Sequence, residues 1–163
     1  MRIKIQLSLA FIILFCAIGY ILHFTWEYLQ CTAFFLHGSE RPTIASMFIA
    51  TTGDILIVFI VYIIVSLINH CLNWFSEDWN FKVFILIALP SIIIAILIEV
   101  IALTTGRWSY TNRNPIIPVL NVSLLPILQM LLINPITFYL SKISVYAFRK
   151  RRTLSHAHVN TNV

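Results

Sequence analysis

Charge is scarce in this chain, and negative charge is scarcest. Only 10% of the 163 residues are charged and only six are acidic, whereas a soluble domain is about one-quarter charged. A water-facing surface cannot be built from so little, so an ordinary soluble fold is excluded. Four glycines leave no glycine-rich loop of the kind that cradles phosphates. The three cysteines, Cys16, Cys31 and Cys71, lie far apart with no CxxC pair, which argues against a disulfide framework or a zinc ribbon. No Ser or Cys sits in a nucleophile motif, and neither an internal repeat nor a low-complexity tract is present.

Hydrophobic length is abundant. The chain is 60% hydrophobic, with a mean hydropathy of +0.90. Four apolar stretches, at about 3–29, 43–68, 81–103 and 119–141, reach the roughly 20 helical residues that cross a bilayer core. They are too long and continuous for barrel strands, and lipid tolerates only helices and closed barrels. The expected architecture is an all-α, polytopic membrane four-helix bundle over 1–148, followed by a basic, then polar, disordered tail at 149–163. The first apolar stretch carries no small-residue cleavage site, which points to an uncleaved helix.

Basic residues set an expected orientation. With both termini inside, the inner side holds Arg2, Lys4, Lys82, Lys142, Arg149, Lys150, Arg151 and Arg152, and the outer loops hold only Arg41, Arg107 and Arg113. This places both termini in the cytoplasm. The net charge of +5 then reads as a membrane anchor, not a nucleic-acid surface. Trp74 and Trp79 fall at the inner interface, and Trp26, Trp108 and Tyr110 at the outer one. The expected location is a bacterial inner membrane. The expected partners are membrane lipid and a second copy or another membrane protein.

Three acids, Glu27, Asp54 and Glu99, stand inside the spanning stretches, where an acid at the bilayer centre costs roughly 2.5–3.5 kcal/mol. In the first helix Cys16, Tyr20, His23, Glu27 and Gln30 form one stripe at helical spacing. Ser46, Ala50 and Asp54 share a face of the second. Ala88, Ser91, Ala95, Glu99 and Ala102 line one face of the third, and Pro126, Met130, Asn134, Thr137 and Ser141 one face of the fourth, with Gln129 beside it. Small residues on such stripes let helices approach closely. Depth along the helices brings Glu27, Asp54, Glu99, His23, Gln30 and the loop residue Arg107 toward one outward-opening cavity. Glu27, Asp54 and Glu99 are the catalytic candidates. His23, Trp26, Gln30, Arg107, Trp108, Tyr110 and Gln129 are the binding candidates. Each has a plainer alternative: His23 pairing with Glu27, Asp54 capping a helix break at Gly53, Glu99 bridging to Arg107, the aromatics as interface anchors. No metal or cofactor is assigned, although His23 and Glu27 at i, i+4 have ligand spacing.

Trp26-Glu27 with Gln30, Gly53-Asp54, Glu99 followed by Gly106-Arg107-Trp108 and Tyr110, then Pro115, Pro118, Pro126 and Gln129 give a pattern over all four helices. It resembles a family of small bacterial integral membrane proteins of unknown function. The acid ahead of Gly-Arg-Trp-x-Tyr is also similar, more faintly, to membrane lycopene cyclases, which implies intramembrane acids that protonate a polyene. The chain lacks their Pro-x-Glu-Glu motif, and their catalytic residues are not carried over. A looser likeness is to emopamil-binding-type sterol isomerases.

Three functions compete. The first is an enzyme or binding protein for an apolar, isoprenoid-type lipid, with Glu99 or Asp54 as general acid and Glu27, beside His23, as the ionised partner. The second is a proton- or cation-coupled transporter or transport subunit. The third is a non-catalytic membrane partner protein. The sequence leaves open whether the chain is an enzyme.

Overall fold

The computed structural model describes residues 2–76 and 78–160, and side-chain surroundings for 9, 11–75 and 78–148. Four helices make the bundle: α1 (Arg2–Phe34), α2 (Ile44–Ile68), α3 (Phe81–Thr104) and α4 (Leu124–Asn160). Each contains a segment long and apolar enough to cross a membrane, Phe11–Phe34, Ile44–Ile68, Phe81–Thr104 and Leu124–Phe148. The chain therefore reads as a multi-pass membrane protein. Large apolar side chains such as Leu29, Ile49, Leu67 and Leu97 stand exposed around the bundle, as a lipid solvent requires. α4 packs against α1 and α3, and α2 sits between α1 and α3, most thinly against α3.

Local chemistry sets the helix ends. The Thr43 hydroxyl accepts from Ser46 N at 3.2 Å to cap α2, and the Asn80 side chain accepts from Val83 N at 3.1 Å to cap α3. α3 stops where Gly106 takes a left-handed φ of +67°. Arg107 N then donates to Ala102 O at 2.9 Å and Gly106 N to Leu103 O at 3.2 Å, closing a Schellman turn. α2 runs unbroken through Gly53, so Asp54 does not cap a break.

Two short antiparallel strand pairings, one long-range and one a hairpin, close the end of the bundle where α1 and α3 finish. β1 (Phe35–Leu36) pairs antiparallel with β2 (Ser109–Tyr110), and β3 (Ile116–Ile117) with β4 (Val122–Ser123). The final carbonyls of α1 lack helical donors and find them in the α3–α4 loop. Thr111 N and Asn114 Nδ2 each reach Phe34 O at 3.0 Å, and Thr111 Oγ1 reaches Ala33 O at 3.0 Å.

The fourth spanning stretch differs from expectation at both ends. Its first residues form a turn and then β4, so α4 starts at Leu124 and Pro126 lies in its first turn, where proline causes no kink. The helix then continues past 141 to Asn160, with neither glycine nor proline after Pro135 to stop it. Residues 161–163, and the side chains of the basic run, lie outside the described residues.

The half of the core away from these strand pairings is aromatic. Phe11, Phe15, Tyr62, Phe75 and Phe138 interlock, with Phe11 and Phe75 stacked at 3.5 Å between ring centres. Trp74, an expected interface anchor, is instead buried beside Phe138 with its indole N–H donated to Ser66 Oγ at 3.1 Å. A 3-10 turn at Trp74–Ser76 folds it under the bundle.

Candidate functional site

The largest group of buried polar side chains is a hydrogen-bonded network drawn from all four helices. α1 contributes His23, Glu27, Gln30 and Cys31, α2 contributes Asp54, α3 contributes Ser91, and α4 contributes Gln129 and Asn134. The i, i+3 and i, i+4 steps of α1 put Glu27 against Gln30, whose Nε2 donates to Glu27 Oε1 at 3.2 Å, and against Cys31, whose thiol donates to Oε2 at 2.8 Å.

Gln129 joins the parts. Its Oε1 accepts from Gln30 Nε2 at 3.2 Å. Its Nε2 donates to Asp54 Oδ2 at 2.8 Å and to His23 Nδ1 at 3.0 Å. On the other side of the ring, His23 Nε2 meets Asn134 Oδ1 at 3.1 Å, and Asn134 Nδ2 donates to Ser91 Oγ at 2.9 Å, which donates on to Ile87 O at 2.7 Å. The directions agree along the chain of bonds: they place the ring proton of His23 on Nε2 and leave Nδ1 as an acceptor. Asp54 Oδ2 lies 3.6 Å from that nitrogen.

The network is close-packed. His23, Gln129 and Asn134 are buried, as are Glu27 and Gln30, and the amide side chains occupy the space an open cavity needs. Clefts of about 540 Å³ and 260 Å³ lie at the other end of the bundle, beside Trp79, Lys142 and Tyr146 and beside His70 and Cys71. Of Glu27, Asp54 and Glu99, Asp54 is the most exposed, at 13% of its side chain.

Of the expected site, His23, Glu27, Gln30, Asp54 and Gln129 come together. Glu99 does not join them. It is buried and takes the hydroxyl of Tyr110, which itself accepts from Ser123 N at 3.0 Å. The phenol of Tyr110 is held above the usual tyrosine range, first by burial and then by its bond to Glu99. Arg107 forms no ion pair with Glu99 among the described residues. The Schellman turn aims it outward, and its guanidinium lies 5.6 Å from the ring centre of Trp108. Trp108 packs edge-on to Phe35, and Trp26 is half-buried, outside the network. Cys31, Ser91 and Asn134 are members that the sequence reading did not single out for the site. Ser91 and Asn134 lay on the faces read for the third and fourth helices, and the i, i+4 step from Glu27 marks Cys31. Among the described residues no three His, Cys, Asp or Glu side chains gather to hold a metal ion.

Compared with known proteins, the chain matches no protein-family model, no curated protein and no solved structure.

Proposed function

We propose that this membrane protein uses the His23–Asp54 pair, backed by Glu27, to move a proton to or from an apolar lipid inside the bilayer. The carrying observation is the junction at Gln129, which holds an unprotonated imidazole nitrogen and a carboxylate at 3.0 Å and 2.8 Å from one amide. Asp54 gives or takes the proton at the lipid, and His23 Nδ1 receives or resupplies it. Energetics support a use for the acids. Polar helix contacts in membranes average about 0.6 kcal/mol, against roughly 2.5–3.5 kcal/mol for each acid at the bilayer centre. A packing role alone is thus poorly repaid, which weighs against a non-catalytic partner protein.

Transport has less support. The bond chain ends at Ile87 O, and the interlocked rings of Phe11, Phe15, Phe75 and Phe138 fill the core beyond it. The isoprenoid character of the lipid, the bacterial inner membrane and the cytoplasmic termini rest on the resemblance and on the basic-residue bias.

The test compares lipid extracts from the source cells with the gene intact, deleted, and restored as wild type, Asp54→Asn or His23→Gln. The reading expects a lipid species to change on deletion and to stay changed with either variant. An unaltered extract on deletion, or full restoration by both variants, overturns it.

A further inference from the structure

Along α2 one face is closed, but its edge is not. Met47, Thr51, Val58 and Val61 are buried on the face that carries Asp54. Phe48, Ile55 and Phe59 mark the side toward α1, through contacts with Phe24, Gly19 and Phe15. On the opposite side, toward α3, Ala50 and Gly53 are exposed. Ala50 stands one turn before Asp54, on the same face, and would be covered if α3 packed there. A Cβ added at Gly53 meets nothing within 4 Å. Asp54 itself is bonded through Oδ2 alone: its Oδ1 makes no hydrogen bond among the described residues, and the buried hydroxyl of Thr51 has no partner.

We propose that the gap between α2 and α3 at Ala50 and Gly53 is a lateral portal through which a neutral, hydrocarbon-dissolved lipid reaches Asp54 Oδ1. The walls define the ligand. Ala50 and Gly53 leave the edge bare, the exposed α2 residues beyond them, Ile49 and Leu56, are apolar, and the exposed Thr52 hydroxyl is already given to Phe48 O at 2.8 Å. No Lys or Arg occurs in α2, and Lys82, at the far end, is the one cation of α3. An anionic headgroup would therefore meet a carboxylate with no Lys or Arg beside it. A ligand with a neutral hydrogen-bond donor on an apolar body satisfies Oδ1. The identity of this molecule as a substrate rests on the lipid-acting reading above, whereas the portal is testable without it.

The full chain in lipid nanodiscs is treated, in mildly acidic buffer, with a membrane-soluble carbodiimide such as dicyclohexylcarbodiimide, and in parallel with a cationic, water-soluble one. The acid proton goes to one carbodiimide nitrogen and the carboxylate oxygen bonds to the central carbon. The acyl group then shifts to nitrogen, so the modified residue carries one whole reagent and nothing leaves. Peptide mass spectrometry reads the site. The portal predicts labelling of Asp54 and not Glu27 by the membrane-soluble reagent, little or none by the water-soluble one, and none in Asp54→Asn. Gly53→Ala, whose Cβ is accommodated, labels like wild type, whereas Ala50→Leu with Gly53→Leu cuts labelling several-fold. No Asp54 labelling from the membrane phase in wild type overturns the portal, as does preferential labelling by the water-soluble reagent. Labelled Asp54 with unaltered lipid extracts leaves the portal standing and removes the lipid-acting reading.

Discussion

His23 and Asp54 approach within 3.6 Å, yet the hydrogen bonds between them run through a third residue, Gln129. One amide nitrogen serves both groups, so Gln129 sets the separation of the imidazole and the carboxylate. Replacing Gln129 by Leu keeps the volume roughly similar and removes both donors together with the acceptor that Gln30 uses. A buried polar group left unpaired costs about 1–3 kcal/mol, and three partners lose a bond here. Bilayer unfolding by steric trapping should show Gln129→Leu destabilised by about 2–4 kcal/mol, on the same principle with partial relaxation. Nitrogen NMR of labelled histidine should show His23 protonated on Nε2 alone in wild type and a mixture of tautomers in the variant. An unmoved tautomer signal contradicts the role given to Gln129.

Tyr110 and Glu99 make the second prediction. The phenol donates to Glu99 and accepts from Ser123 N, tying α3, β2 and β4 at one point. Tyr110→Phe leaves a buried carboxylate without that donor and should cost about 1–3 kcal/mol. The neutral phenol is the form the fold favours, because burial and then Glu99 raise its pKa. Its contribution is therefore fully present below the ordinary tyrosine value of about 10. It is lost as pH climbs through the raised folded value. Thermal unfolding followed through the alkaline range should show a fall in wild type that is shallower in Tyr110→Phe.

Helix existence was legible in the apolar lengths, because lipid imposes one solution on any segment of that kind. So was the α1 stripe, since His23, Glu27 and Gln30 share a face by spacing alone. The hub was not. Gln129 lay beside the expected α4 face, and only the angle at which α4 meets α1 and α2 turns its amide between His23 and Asp54. Glu99 misled for a related reason. Its depth matches the other acids, but its partner arrives from β2, whose position depends on a long-range pairing with β1 that two-residue strands do not announce. Trp74 shows the same limit: hydrophobicity cannot distinguish an indole at an interface from one folded beneath the bundle.

Gly19 supplies a prediction about close approach. A Cβ there meets Ile55 Cδ1 at 3.0 Å and Thr137 Cγ2 at 3.1 Å, so α1, α2 and α4 converge one turn from His23. Both neighbours are side-chain atoms, and a shift of a few tenths of an ångström makes room for one methyl group. Gly19→Ala should be nearly neutral, since alanine also gains about 1 kcal/mol of helix propensity over glycine. Gly19→Ile has no such room, and overpacking should cost about 1–3 kcal/mol. By pushing α4 away it should also lengthen the His23–Asn134 bond. Steric trapping of both variants, with the histidine NMR signal alongside, separates a packing effect from a site effect.

The orientation proposed from the basic residues makes the last prediction. Lys82 opens α3 at the end shared with the termini, and Asn112 lies exposed in the loop at the hairpin end. The bundle fixes these as opposite faces, so one labelling experiment decides the sign for the whole chain. In a background free of Cys16, Cys31 and Cys71, Asn112→Cys should react with a membrane-impermeant maleimide on intact cells. Lys82→Cys should react only after the membrane is opened. The reverse pattern inverts the topology, so that the eight basic residues expected on the inner side face outward against the usual bias. The network and the portal would be unaffected, because both are defined within the bilayer. Their distance from each aqueous face would exchange.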